Sequence, residues 1–264
     1  MKLLILPDIH GRKFWCEPCT NIDQYDKVIF LGDYLDPYSF DGISVEDAID
    51  NFRDIVKFAK DNPKVVLILG NHDEPYASDI YYGLSSWHCR HSQRHHKEIS
   101  DIFKTHEDCF RLAYSVDDIL FTHAGCVSGW LDFAFDYKYK DRINLEELCN
   151  DLNSLLNSKE GLLNLFMISS TRGGWDPFGS CIWANITETY WDSANMLDEN
   201  APQHAIYKVR QVFGHTLQAF KDKDEKIIYG KPIEFRNCKM LDNACAYELD
   251  TETFTLNRQE SPLL

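Results

Sequence analysis

The sequence lacks long hydrophobic runs, an excess of positive charge and any cysteine pattern typical of a disulfide framework. No stretch approaches the roughly 20 apolar residues that a membrane-spanning helix needs. The apolar start at residues 3–6 is too short for the core of a signal peptide, and Pro7 and Asp8 follow it at once. We therefore expect a soluble, cytoplasmic protein without a membrane partner.

Basic residues are scarce, since 27 Lys and Arg stand against 42 Asp and Glu and give a formal net charge of −15. This charge disfavours non-specific attraction to nucleic acid, which makes nucleic acid an unexpected partner. An acidic protein that handles phosphates needs local cations, so the charge also gives a weak indication of bound metals. Many proteins, however, are acidic only to stay soluble.

The nine cysteines are odd in number and scattered, which indicates a reducing compartment rather than a disulfide scaffold. Cys16 and Cys19 form a C-x-x-C pair, but no second pair completes a zinc knuckle. We predict that they are ordinary thiols.

Three apolar runs in the first third of the chain, at residues 3–6, 27–31 and 65–69, end on polar residues. Continuous apolar runs of this length suit strands that are buried on both faces. Between the second and third runs, residues 44–61 place apolar side chains at helical spacing, and Asn62-Pro63 ends the pattern. This arrangement predicts a β-α-β unit and an α/β fold.

Two further predicted strands, at 119–122 and 208–213, bring the number of strand ends with polar residues to five. In β-α-β units ligands gather at the carboxyl ends of strands. Carboxylate, imidazole and amide groups without thiolate suit Mn²⁺, Fe²⁺ or Zn²⁺. Gly32 permits a sharp turn that presents Asp33, the best candidate for a carboxylate bridging two ions. The polar blocks are Asp8-Ile9-His10-Gly11, Gly32-Asp33-Tyr34-Leu35-Asp36, Gly70-Asn71-His72-Asp73, His123-Ala124-Gly125 and Gly214-His215-Thr216.

The remaining sequence is less regular. Residues 135–166 are predicted to be largely helical, and 227–230 and 240–249 to form late strands. Without repeats or linkers, the chain is predicted to be one domain over 1–264, with insertions at about 74–115 and 135–170.

The order and spacing of the five blocks resemble the calcineurin-like metallophosphoesterases, and within them the Ser/Thr protein phosphatase and diadenosine tetraphosphatase branch. Met240-Leu241-Asp242-Asn243-Ala244-Cys245 is a weaker match. The resemblance covers residues 8–245 and implies a four-layer α-β-β-α sandwich with two mixed sheets and helical insertions.

The resemblance also implies two divalent cations, with Mn²⁺ favoured over iron or zinc, and a proton-donating His72 oriented by Asp36. Such a pair of cations generates a hydroxide that attacks phosphorus. Each motif alone is weak evidence, and their joint occurrence favours the metal interpretation. The implied ligands are Asp8 and His10 on the first ion, Asp33 as the bridge, and Asn71, His123 and His215 on the second.

Some positions depart from the branch's pattern. Pro37 stands where the branch usually has an arginine after Asp36, which removes a phosphate ligand. Arg172 is predicted to replace the missing arginine as a phosphate ligand. The equally weighted alternative is that Arg172 is an exposed loop residue without this role. Asn71 is predicted as a second substrate contact. Leu217 stands where many relatives have a second histidine, so the first ion is expected to keep more water ligands.

The basic stretch at 88–97 is predicted either to cap the site or to form a solvated helix face. The sequence as a whole predicts a dinuclear phosphohydrolase acting on a phosphoprotein or a small nucleotide. The alternatives are a non-catalytic scaffold of the same fold and a metal-dependent nuclease, and the net charge disfavours the nuclease.

Overall fold

The computed structural model describes residues 1–78, 88–195, 197, 200 and 203–259. The chain forms two compact units. The first contains Met1–Arg111, Leu217–Lys231 and Asp242–Leu264, and the second contains Leu112–Thr216 and Pro232–Leu241. The single domain over 1–264, with its two insertions, stays a prediction, and residues 79–87 of the first insertion lie outside the described residues.

Strands and helices alternate along much of the described chain. The strands are β1 (Lys2–Leu6), β2 (Lys27–Phe30), β3 (Val65–Ile68), β4 (Phe110–Arg111), β5 (Ala113–Val116), β6 (Ile119–Thr122), β7 (Arg210–Phe213), β8 (Ala219–Lys221), β9 (Ile227–Tyr229), β10 (Ile233–Phe235), β11 (Cys238–Met240), β12 (Ala246–Asp250) and β13 (Thr255–Gln259). The helices are α1 (Val45–Asp61), α2 (Glu74–Ala77), α3 (His96–Thr105), α4 (Ser128–Ala134), α5 (Leu145–Ser154), α6 (Lys159–Leu165) and α7 (Ile186–Asn195).

The first unit is built on a six-stranded mixed sheet in the order β13-β12-β1-β2-β3-β4. Strands β1 to β4 are parallel to one another, whereas β12 is antiparallel to both β1 and β13. Residues 3–6 are fully buried, as expected of a strand covered on both faces. The strands predicted at 3–6, 27–31 and 65–69 are confirmed to within one residue at each end.

Helix α1 forms where the sequence predicts it. The Ser44 hydroxyl accepts a hydrogen bond from Asp47 N at 3.0 Å, and Glu46 and Asp47 place negative charge in the first turn. On the buried face, Phe52 stacks on Tyr34 with ring centroids 5.3 Å apart. This packing fixes the β2-α1-β3 unit on which the first polar blocks stand.

The second unit contains a five-stranded mixed sheet in the order β10-β11-β7-β6-β5. Strand β7 is parallel to β6 and β11, and the outer strands are antiparallel to their neighbours. Phe213 packs with Cys238 and Met240 in a buried apolar cluster. The predicted α/β fold with two large mixed sheets is confirmed.

The strand predicted at 240–249 is wrong as a single element. The chain completes β11 in the second unit and then begins β12 in the first unit. Buried Asp242 and Asn243 occupy the break, and Ala244 has a φ of 54°, which no strand residue adopts. The hydrophobic pattern does not reveal this backbone reversal.

Two other predicted elements begin later than expected. The strand predicted at 208–213 begins at Arg210, because Ala205–Lys208 forms a 3₁₀ turn. The helical region predicted at 135–166 begins at Leu145, because Asp136 and Tyr137 have φ values of 46° and 61° that a right-handed helix excludes. None of the described helices combines the length and apolar character needed to cross a bilayer.

Candidate metal centre

The first unit places three predicted polar blocks at one edge of its sheet, because β1, β2 and β3 are parallel. His10, Asp33 and Asp36, which follow β1 and β2, have left-handed backbones with φ values of 45°, 53° and 56°. Such values are uncommon for residues other than glycine, and they concentrate at functional sites. The strained backbone therefore coincides with the predicted site.

The loops after β2 and β3 approach more closely than side chains at their glycines would allow. A Cβ atom on Gly32, whose φ is 102°, would lie 2.5 Å from Gly70 N. A Cβ atom on Gly70 would lie 2.1 Å from Asp33 Oδ1. The sharp turn predicted at Gly32 is confirmed, and sequence reasoning missed the equal requirement at Gly70.

Asp73, to which the sequence assigned no role, joins these loops. Its Oδ2 accepts hydrogen bonds from Asp33 N at 2.7 Å and Gly70 N at 2.9 Å, and its Oδ1 accepts from Tyr34 N at 2.9 Å. Burial and then the Asp33 charge raise the pKa of the Asp73 carboxyl, and the three N–H donors partly offset both effects. Asp73 thereby fixes the backbone that carries Asp33.

Asp33 is the centre of a buried group of candidate metal ligands. Its Oδ1 accepts from His72 N at 2.9 Å, and its Oδ2 lies 3.4 Å from His10 Nε2. Ligand atoms of His10, Asp33 and His72 lie within 4.8 Å of one another, and those of Asp8 and Asp33 are equally close. The four side chains are at most 7% exposed. Buried carboxylates this close repel each other unless a cation or a proton offsets their charge, and a bound cation would do so.

His10 has the properties of a metal ligand. Burial lowers its pKa well below the ordinary value although the Asp33 charge opposes the shift, so the imidazole is neutral near pH 7. Nδ1 donates to Leu35 O at 2.9 Å. In this tautomer the lone pair lies on Nε2, the atom that faces Asp33.

His72 and Asp36 form the predicted pair. His72 Nδ1 donates to Asp36 Oδ2 at 2.8 Å, and the Tyr76 hydroxyl donates to Asp36 Oδ1 at 2.7 Å. Tyr76 also accepts from Ser92 N at 2.7 Å. Both oxygens of Asp36 are therefore held, and Nε2 is the His72 atom that can exchange a proton with a substrate. Sequence reasoning missed Tyr76, which lies within the predicted insertion one helical turn after His72.

Asn71, which is buried, contacts the start of the basic stretch. Its side-chain nitrogen lies 3.7 Å from Cys89 Sγ, and the Cys89 thiol donates to Asn71 O at 3.2 Å. All nine cysteines are free. The roles of Asn71 as metal ligand and substrate contact stay predictions.

In the second unit, the parallel strands β6 and β7 lead into His123 and His215. His123 Nε2 lies 3.2 Å from His215 Nδ1, and Gly214 N donates to His123 O at 2.7 Å. His215 has a φ of 71° and packs edge-on against Trp183, with ring centroids 5.8 Å apart. Two nitrogens in neighbouring positions about 2.1 Å from one cation would be about 3 Å apart. The distance suits an N–H···N hydrogen bond between the two rings, and it also suits two ligands on one ion.

Arg172, the predicted substrate contact, lies against the turn at His215. Its Nη2 donates to His215 O at 3.2 Å and to Thr216 Oγ1 at 2.6 Å. These bonds hold the turn that presents His215. Contact between Arg172 and a phosphate stays a prediction.

The basic stretch is not a uniformly solvated face. His91 stacks on Tyr76 with ring centroids 4.4 Å apart, and Arg90 donates to Asp36 O, while Arg94 is exposed. The stretch therefore packs on the loop of Asp36 before it continues into α3. Of the tryptophans, Trp130 and Trp183 are buried, Trp175 and Trp191 are exposed, and Trp87 lies outside the described residues.

Within the first unit, the donor set fits a divalent cation. It combines buried carboxylates with a neutral imidazole whose tautomer is fixed, and it contains no thiolate. These are the ligands that borderline and hard divalent ions prefer.

Comparison with known proteins gives one family match. The model of the calcineurin-like phosphoesterase family matches residues 1–219. The crystal structure of "a putative diadenosine tetraphosphatase" is similar, with a TM-score of 0.44 and 12% identity over 98% of this chain and 92% of that chain. A metallophosphoesterase from Sphaerobacter thermophilus is similar with a TM-score of 0.41 and 12% identity, over 99% and 89% of the two chains. No curated protein matches the chain.

Proposed function

The chain belongs to the calcineurin-like phosphoesterase family, and on this premise we propose that it is a metal-dependent hydrolase of phosphate esters or phosphoanhydrides. The observation that carries the proposal is the buried group around Asp33, in which a second carboxylate and a neutral imidazole converge beside the His72–Asp36 pair. A fold alone does not determine function. Here the family's fold coincides with side chains suited to metal binding and proton transfer.

In the first unit, Asp8, His10 and Asp33 are the proposed ligands of divalent cations, with Mn²⁺ favoured over iron or zinc. Asn71, His123 and His215 stay predicted as further ligands. Bound divalent cations lower the pKa of a coordinated water and withdraw charge from phosphoryl oxygens. The chain contributes orientation, because His72 N and the Asp73 carboxylate fix the side chain and the backbone of Asp33.

His72 is the proposed general acid. As the ester bond breaks, Nε2 gives its proton to the departing oxygen, and Asp36 stabilises the charged ring through Nδ1. The Tyr76 hydroxyl keeps the Asp36 carboxylate in that orientation. The substrate is a phosphoprotein or a small nucleotide such as a dinucleoside polyphosphate.

A non-catalytic scaffold of the same fold is the alternative. A scaffold has no use for a proton donor, so the held His72–Asp36 pair favours an enzyme. A nuclease agrees with the metal ligands but not with the net charge of −15, which offers no extended basic groove.

Replacing His72 with Asn tests the proposal. With Mn²⁺ added, the wild type is expected to hydrolyse an aryl phosphate, and His72→Asn is expected to lower kcat by about 10² to 10⁴. Metal content, measured by mass spectrometry, is expected to stay unchanged. His106→Asn is the matched control, because His106 contacts Lys60 at the surface.

Two outcomes would contradict the proposal. Wild-type protein with bound metal that turns over no phosphomonoester, diester or dinucleotide would support the scaffold. An active His72→Asn variant with an unchanged rate would remove His72 from the mechanism.

A further inference from the structure

Arg90 contacts Asp36, which lies 54 residues earlier in the chain. Its Nε and Nη2 donate to Asp36 O at 3.0 and 2.8 Å, and its Cζ lies 3.6 Å from the centroid of the Tyr38 ring. A planar guanidinium with two hydrogen bonds to one carbonyl and an aromatic face beneath it has a defined orientation. Pro37 carries no positive charge, and the guanidinium of Arg90 places one beside the loop that contains Asp36.

The charge of Arg90 is not neutralised by a carboxylate among the described residues. Nη2 lies 3.2 Å from His10 Nδ1, but that nitrogen already donates to Leu35 O and cannot accept from Arg90 as well. Arg12 and Arg53 differ in this respect, since Arg12 pairs with Asp41 and Arg53 with Asp50 and Glu98.

Arg90 is exposed although its neighbours are not. His10 and Asp36 are buried, and Tyr38 is half-buried. The His10 ring lies edge-on between two rings, with centroids 4.8 Å from Tyr38 and 5.1 Å from His72. Arg90 therefore lies one ring away from the proposed proton donor, where an anion from solution can reach it.

We propose that Arg90 binds the substrate's phosphoryl oxygens and gives the enzyme a preference for dianionic phosphomonoesters over monoanionic diesters. The inference rests on the proposed phosphohydrolase function. Nε and Nη2 already donate to Asp36 O, so the fork offered to two phosphoryl oxygens is the other edge of the guanidinium, formed by Nη1 and Nη2. Bonds from this edge to phosphoryl oxygens are charge-assisted. A dianion gains more from this cation than a monoanion, because its non-bridging oxygens carry more charge.

The alternative role for Arg90 is structural, in which its bonds to Asp36 O only tie the start of the basic stretch to the loop. A structural role would affect every substrate equally. A phosphoryl ligand would instead change the ratio of activities on a monoester and a diester, and this ratio separates the two roles.

The test compares wild type, Arg90→Ala, Arg90→Lys and Arg94→Ala, all with Mn²⁺. Arg94 is the matched control because it lies in the same stretch, is exposed and carries the same charge. Arg90→Ala is expected to lower kcat/KM on p-nitrophenyl phosphate by about 10- to 100-fold. Activity on bis-p-nitrophenyl phosphate is expected to fall by less than about threefold. Arg90→Lys is expected to recover only part of the monoester activity, because an ammonium lacks the fork.

Inhibition by inorganic phosphate should weaken in Arg90→Ala in proportion to the loss on the monoester. The inference is overturned if Arg90→Ala and Arg94→Ala lose activity equally, or if the monoester-to-diester ratio stays constant. If the wild type turns over neither substrate, the proposed function fails, and calorimetric titration with inorganic phosphate then decides the role of Arg90. Weaker phosphate binding by Arg90→Ala would support the inference, and equal or absent binding in wild type and variant would overturn it.

Discussion

The two units hold their candidate ligands in different ways. In the first unit, backbone N–H groups from the loops after β2 and β3 converge on the buried Asp73 carboxylate, and His72 N orients Asp33. In the second unit, His123 and His215 contact each other through their rings, and Trp183 packs against His215. Backbone N–H groups that donate to carboxylates hold the first arrangement, whereas the second combines ring contacts with the backbone bond from Gly214 N to His123 O.

This difference determines how each unit should respond to substitution. A buried backbone N–H that loses its acceptor finds no other acceptor nearby. The folded state then loses the full free energy of desolvating that N–H group. A side-chain contact can adjust by rotation of a hydroxyl or a ring. We therefore expect small changes in the loops of the first unit to be more damaging than comparable changes in the second.

The largest effect is expected from Gly70→Ala. The added Cβ would lie 2.1 Å from Asp33 Oδ1 and 2.7 Å from Asp33 N, so the two loops must separate. We expect the free energy of unfolding to fall by about 3 kcal/mol. The rate of hydrolysis should fall by at least about 10²-fold, because ligands displaced by about 1 Å lose their alignment. Urea denaturation and steady-state kinetics measure the two effects.

Gly173→Ala in the second unit is the control. Gly173 has a φ of 80° but no atom within 4 Å of an added Cβ, so this variant incurs only the left-handed backbone penalty of about 1 kcal/mol. Gly70 is not among the glycines with a left-handed backbone, so a loss in Gly70→Ala no larger than that in Gly173→Ala would show that the close approach of the loops does not matter.

A smaller effect is expected from Asp73→Asn. The asparagine amide keeps one acceptor oxygen, but its NH₂ group is a donor. It must therefore face at least one of the backbone donors Asp33 N, Tyr34 N and Gly70 N, and that donor loses its acceptor. We expect a loss of about 2 to 3 kcal/mol in the free energy of unfolding. A fall in metal content should accompany it, because the backbone of Asp33 is no longer fixed.

Asp192→Asn is the corresponding change in the second unit. Asp192 accepts from Ser128 N and from the Ser128 hydroxyl, so only one of these two donors is a backbone N–H, whereas all three donors to Asp73 are. The asparagine oxygen can serve Ser128 N while the hydroxyl rotates to accept from the amide. We expect a loss below about 1 kcal/mol. A loss as large as that of Asp73→Asn would remove the distinction between the units.

The strand ends that carry the site are predictable from sequence because their signals are local. Continuous apolar runs followed by Asp, His, Asn and Gly indicate buried strands with polar loops at their ends, as found before Asp33 and His72. The contacts of Asp73 with the loop of Asp33, and of Tyr76 with Asp36, join residues about 40 positions apart. No local pattern reports such contacts, since they depend on the close approach that Gly32 and Gly70 permit.

The errors in the predicted elements have a similar cause. The strand predicted at 240–249 fails because the hydrophobic pattern does not show the left-handed backbone of Ala244. The helix predicted from 135 fails at Asp136 and Tyr137 for the same reason. Backbone reversals at residues other than glycine depend on the surrounding contacts, so the hydrophobic pattern does not predict them at these positions.

The smallest effect is expected at a partly exposed side-chain cluster of the second unit. Asp151 in α5 accepts from Lys138 Nζ at 2.6 Å and from the Tyr139 hydroxyl at 2.7 Å. Partial burial alone would raise the pKa of Asp151, but these two bonds outweigh it and lower the pKa. Because the pKa is lower in the folded state than in the unfolded state, the ionised carboxylate stabilises the fold above the unfolded value of about 3.9.

Asp151→Asn should therefore cost at most about 1 kcal/mol at pH 7, as is usual for exposed ion pairs. The difference from wild type should stay constant down to about pH 4 and then shrink as the pH falls through the folded pKa. Urea denaturation across this range measures it, with the exposed Asp141→Asn as control. A cost above about 2 kcal/mol, or one that grows with falling pH, would mean that this unit also depends on carboxylates that cannot be exchanged for amides, as the first unit does at Asp73.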